Sequence, residues 1–235
     1  MGVSVDMSAS HSVSASLPRL LRQRLSALML ATSLGLAAPA AMAQSLPPPD
    51  IGGRSWFLFD VSTNTVLYSQ APDERVEPAS LTKLMTAYVV FEALRDGTLN
   101  LDTRPPVSQA AYKAIGSRMF VDPRKPATVD ELLHGLIIQS GNDAAIILAE
   151  AVSGSEEAFA QQMNAEARRI GMKNSHFVNA SGLPAPEHYS TARDMALLAT
   201  RIIKEFPDYY RMYSEKEYTF NGVRQPNRNR LLAID

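Results

Sequence analysis

Between Pro78 and Leu94 the chain reads PASLTKLMTAYVVFEAL, a segment with apolar residues around most of a helical circumference. A helix of that kind is stable only when other elements cover it, so the fold must be built around this stretch. One cation, Lys83, lies among Leu81, Leu84, Met85, Tyr88 and Val89. A buried ammonium is costly unless it is paired or put to use. Lys83 follows Ser80 by three positions, which places both side chains on one helix face. Burial can lower a lysine pKa until the neutral amine takes a serine proton. The helix start also leaves the Ser80 N–H free to donate to a developing oxyanion. The same residues equally suit a serine N-cap with an ordinary lysine one turn on, so two readings stand.

A second apolar stretch, TVDELLHGLIIQSGNDAAIILAEAVSG, opens with Thr128 and Glu131 at capping-box spacing. Its periodicity continues on both sides of Ser140-Gly141-Asn142, which predicts two helices joined by a tight turn. Such a turn can present a hydroxyl and a carboxamide to a cleft, or Asn142 and Asp143 can simply start the next helix.

Around these segments the pattern is mixed. RSWFLFDV and TVLYSQ predict a β-hairpin, and EYTFNGVRQ a second, smaller one about Asn221-Gly222. Gly97 is placed to close the first helix. Ser155 and Thr191 are placed to cap two more, ending at Gly171 and just before Pro207. The intervening KNSHFVNASGLPAPEHYS is a long loop, a feature that tends to carry function. Two isolated strands are marginal in water, so the first hairpin lacks partners within this sequence.

The formal charge of −1 gives no basic footprint for nucleic acid, and the absence of cysteine excludes disulfides and thiolate chemistry. Arg19, Arg22 and Arg24 precede the apolar run Leu25 to Ala38, and AMA follows at Ala41 to Ala43. That order predicts a cleaved signal peptide over residues 1–43, because the run is short of the roughly 20 residues that span a bilayer. Residues 44–53, with three prolines, read as an extended linker.

Ser80-x-x-Lys83 and Ser140-x-Asn142, in that order and inside several extended matches, resemble the penicillin-recognising serine enzymes. Within them the sequence is most similar to the low-molecular-mass D-alanyl-D-alanine carboxypeptidases, from about Trp56 to Leu232. The resemblance implies an α/β (α+β), β-lactamase/transpeptidase-like fold: a helical subdomain beside an antiparallel sheet. It implies Ser80 as the acylated nucleophile and Lys83 as its base. Ser140 would relay a proton to the leaving group, and Asn142 would bind the substrate amide. The implied substrate is a peptidoglycan stem peptide ending in D-Ala-D-Ala, with β-lactams as mimics, in the periplasm, and with neither cofactor nor metal. The family's third motif, Lys-Thr-Gly, does not occur in the sequence. The expectation is therefore of a partial domain over residues 54–235, C-terminally truncated and without the family's membrane-associating tail. Residues 44–235 alone are expected to be poorly stable and weakly active or inactive.

Two rivals share the first motifs. A class A β-lactamase also needs a deacylating glutamate, and Glu166, Glu187 and Glu205 follow Asn142 without the expected motif. A non-catalytic penicillin-binding sensor is the other. His134, His176 and His188 lack metal-ligand spacing, and His134 reads as a core residue. Arg224, Arg228 and Arg230 could steer an acidic peptide or simply lie on a solvated loop.

Overall fold

The computed structural model describes Pro47 and residues 50–234. The signal-peptide expectation, and half of the linker, lie outside the described residues. Residues from Asp50 onward form one unit. No helix among the described residues is long and apolar enough to cross a membrane.

The first hairpin pairs β1 (Trp56–Asp60) with β2 (Thr65–Gln70) antiparallel, with a bulge between Leu58 and Phe59. Its turn is built by the Asp60 carboxylate, which accepts from the amides and hydroxyls of Ser62 and Thr63. Those bonds favour the charged form and hold the carboxyl down at about 2. Among the described residues no third strand joins it, and Leu58, Val66 and Leu67 are exposed.

The segment that opened the sequence analysis becomes a 3-10 turn over Ala79–Leu81 followed by helix α1 (Thr82–Arg95). Met85, Tyr88, Val89, Val90 and Phe91 are fully buried, which makes α1 the central helix of the core. The Tyr88 hydroxyl, the one polar atom its ring brings inside, donates to Glu205 and accepts from Arg169, both at 2.7 Å. Phe91 stacks on Tyr209 at 4.7 Å, and Tyr88 meets Phe206 edge-on at 5.5 Å. Gly97, with φ of +72°, closes α1 as expected.

A single turn, α2 (Gln109–Tyr112), is capped by Ser108. Helix α3 (Val129–His134) begins with the complete Thr128–Glu131 capping box. It does not pass directly into the tight turn: Gly135–Gln139 form one wide π-helical turn, and Ser140 then takes the left-handed conformation, φ 63° and ψ 42°. π-Turns are rare and gather at functional sites. Helix α4 (Asn142–Ser153) follows, buried over most of its surface, then α5 (Glu156–Ile170), capped by Ser155 and stopped by Gly171.

After the long loop, Thr191 caps α6 (Ala192–Glu205), and Pro207 opens the short α7 (Pro207–Tyr210). The second hairpin joins β3 (Glu217–Phe220) to β4 (Val223–Pro226). Asn221 and Gly222 both have positive φ, the type I′ geometry that matches strand twist. His134 is partly buried, bonded to the Asp130 carbonyl and to Glu215, with its ring stacked on Tyr218 at 4.9 Å.

Candidate active site

Ser80 is not a helix cap. Neither the turn that contains it nor α1 has a side-chain cap, and among the described residues nothing hydrogen-bonds the Ser80 hydroxyl. The residue before it, Ala79, is held at φ +47°, a conformation costing an alanine about 1–2 kcal/mol. What over-determines that backbone is the returning loop. Val76 and Ser190 exchange both backbone hydrogen bonds at 2.9 Å, which fixes the chain on its way to the serine. Gly182, at φ +83°, lies directly under the turn, and a Cβ there would collide with the Ala79 carbonyl. Gly182→Ala should therefore lower stability by about 2 kcal/mol or more. It should also slow any reaction of Ser80, measurable as a lower melting temperature together with slower penicillin labelling; unchanged values for both would contradict the packing.

One helical turn on, Lys83 is 5% exposed. Its ammonium donates to Asn142 Oδ1 at 2.7 Å and to the Ser181 carbonyl at 2.6 Å. Burial pulls its pKa from 10.5 down to about 8, and the nearby Asp143 carboxylate limits the fall. The costly buried lysine is thus paired with neutral acceptors, which take two of its three protons without fixing its charge. Thr86 anchors the same loop by donating to the Ala180 carbonyl at 2.6 Å.

The turn after the π-helical segment supplies the other wall. Ser140 Oγ is buried and has no hydrogen-bond partner. A hydroxyl left without a partner in a dry interior costs about 1–3 kcal/mol, and one beside a cleft can be satisfied by water or by a ligand. Ser80, Lys83 and Ser140 line one cleft of about 400 Å³, together with Leu81, Leu84, Leu136, Ile137, Tyr213 and Arg228. Ser80 and Lys83 share that cleft without a hydrogen bond between them, and the neutral amine keeps its lone pair for a proton while its two N–H bonds stay on Asn142 and Ser181.

Asn142 sits directly against Lys83. Its carboxamide spans Lys83 Nζ and the Ile115 carbonyl, each at 2.7 Å, and it stands behind the lysine instead of on the cleft wall. The reason is local: its own amide bonds Ser117 at 2.7 Å, which draws the loop 115–121 across the turn. Asp143 completes that attachment by accepting from the amides of Met119, Phe120, Val121 and its own neighbour Ala144. Arg228, exposed on the chain after β4, lines the cleft and donates to Ser117 Oγ at 2.9 Å.

Sequence reasoning missed Ser181, Ile115 and Gly182, which act through backbone, and Asp143, which looked like an ordinary first-turn acid. Glu166, Glu187 and Glu205 do not line the Ser80 cleft. Glu166 pairs with Arg169, and Glu205 with Arg201.

The chain is similar to known proteins in sequence and in fold. The chain is 45% identical over 208 residues to the D-alanyl-D-alanine carboxypeptidase DacC of Escherichia coli (strain K12), covering 85% of this chain and 52% of that relative. The solved structure of penicillin binding protein 5 from Haemophilus influenzae is 40% identical and superimposes with a TM-score of 0.77, covering 80% of this chain and 56% of the other. Penicillin-Binding Protein D2 from Listeria monocytogenes, in its ampicillin-bound form, is 28% identical with a TM-score of 0.72, covering 81% and 78%. The helices with two small antiparallel sheets are thus the incomplete α/β arrangement of these penicillin-binding proteins. The chain spans about half the length of the curated relatives it matches. With the family profile for D-alanyl-D-alanine carboxypeptidases matching residues 41–235, the chain belongs to that family.

Proposed function

We propose that this chain carries the acylation site of an exported, periplasmic serine-type D-Ala-D-Ala carboxypeptidase acting on peptidoglycan stem peptides. The observation that supports it best is the buried Lys83 amine, with its pKa lowered to about 8, sharing a cleft with an uncapped Ser80. In this mechanism the neutral Lys83 amine removes the Ser80 proton as Oγ attacks the penultimate D-alanine carbonyl. The Ser80 N–H, at the helix start, stabilises the oxyanion. Ser140 passes a proton to the leaving D-alanine nitrogen, and water then hydrolyses the ester. Asn142 orients Lys83, and its carboxamide keeps one N–H and one oxygen lone pair beyond its two present partners for a contact with the substrate amide. A β-lactam acylates Ser80 in the same way, in keeping with the ampicillin-bound relative.

The pH dependence tests the base. Acylation by a fluorescent penicillin should rise about tenfold per pH unit below pH 8 and level off above it, as Lys83 loses its proton. A rate unchanged between pH 6 and 10 would remove Lys83 from the role. Release of free D-alanine from a D-Ala-D-Ala peptide separates a carboxypeptidase from a sensor that acylates and stops. The lactamase alternative lacks support, since none of its candidate glutamates reaches the cleft.

A further inference from the structure

The long loop between α5 and α6 meets the Ala79–Leu81 turn and the start of α1 at four points. Ala180 and Ser181 offer carbonyls to Thr86 and Lys83, and Gly182 lies beneath Ala79. The fourth point is a side chain. His188, 4% exposed, sits with Nε2 2.8 Å from Thr82 Oγ1, and Thr82 is fully buried between Ser80 and Lys83. The Val178 N–H donates to Nδ1 of the same ring at 3.0 Å. That donation requires a lone pair on Nδ1, so the proton of the neutral ring is on Nε2, and the Thr82 hydroxyl accepts it.

We infer that His188 is a positioning residue for the Ser80–Lys83 pair: its neutral Nε2–H tautomer holds Thr82, and with it the spacing of the two reactive side chains. This rests on the reading of Ser80 as nucleophile. The imidazolium cannot do the same work. A proton on Nδ1 would face the Val178 N–H, donor against donor. Burial and the neighbouring His176 both push the His188 pKa down, and Glu77 only partly opposes them. The Phe177 ring meets it edge-on at 5.9 Å. The other three contacts are made by backbone or by the absence of a side chain, so His188 alone offers this turn a group whose hydrogen-bonding sense depends on protonation.

The test uses the full chain, labelled with a fluorescent penicillin from pH 4.5 to 9, as wild type, His188→Gln and His188→Phe. Glutamine can place an amide N–H where Nε2–H stands; phenylalanine keeps the bulk and removes the donor. Displacement of a reacting group by about 1 Å costs on the order of 100-fold, so His188→Phe should label about 10–100-fold more slowly at pH 7.5, with His188→Gln within about threefold of wild type. The wild-type rate should fall with one proton from pH 8 and with two at the acid end, below the ordinary histidine range, whereas His188→Gln keeps a slope of one. Equal rates for all three proteins, or equal losses in both variants with a one-proton slope throughout, would overturn the proposal. ¹⁵N spectra of the histidine rings give a second readout, independent of activity. They should show His188 protonated on Nε2 alone near neutral pH, and an Nδ1–H ring would equally overturn it. Failure of the wild type to label at all would count against this chain's activity and not against His188, on which the ring spectra still report.

Discussion

Arginine at position 83 is expected to slow acylation of Ser80 by about 10²–10⁴-fold, the range a positioned general base contributes. Lys83→Arg keeps a cation that can donate to Asn142 and the Ser181 carbonyl, but a guanidinium does not lose its proton at any working pH. The substitution therefore separates charge from basicity. The wild-type lysine is a liability for folding. Its pKa is about 8 when folded and near 10.4 when unfolded, so the unfolded chain binds more protons between those values and stability rises with pH across that window. Below pH 8 the cost of burying the charge is present in full, on the order of 3 kcal/mol. A wild-type melting temperature that climbs between pH 8 and 10, alongside a labelling rate for Lys83→Arg within tenfold of wild type, would keep the burial and discard the base.

Asp143→Ala is expected to give a comparably large loss of stability. The carboxylate is 2% exposed and accepts four backbone amides, three of them from Met119 to Val121. Truncation strands those donors, and each buried orphan costs about 1–3 kcal/mol, some of which water recovers. A net loss of at least about 3 kcal/mol lowers the melting temperature of a domain this size by about 6–12 °C. The effect should reach the site, because the loop so released also carries the Ile115 carbonyl that steadies Asn142. Calorimetry checks the first part and penicillin labelling the second. A variant melting within 2 °C of wild type would mean that the loop is held by other contacts.

What the sequence announced was local chemistry. Thr128, Ser155 and Thr191 cap helices because a short polar side chain before an apolar period has one favourable use, and Asn221-Gly222 supports one turn type. Ser80 and Lys83 could be paired from their spacing because one helix turn fixes it. The choice between cap and nucleophile could not be read the same way, since a serine at a helix start looks identical in both; only the uncapped turn separates them. The rest of the site escaped for a common reason. Ser181 and Ile115 act through carbonyls that every residue owns, and Gly182 acts by lacking a Cβ. For Asn142 the sequence left open a cleft residue or a plain helix start; the loop 115–121, some twenty residues earlier, bonds its backbone and its carboxamide, and no periodicity encodes that crossing. The π-helical turn at Gly135–Gln139 has no signature distinct from the helix it interrupts.

The central claim is that a lysine made weakly acidic by burial activates the hydroxyl one turn before it. Peptide mapping by mass spectrometry after penicillin treatment across a pH series tests this most directly. The account predicts one adduct, on Ser80, forming with an apparent pKa near 8 and absent from Ser80→Ala. An adduct on another residue, or one on Ser80 whose rate ignores pH, would contradict it.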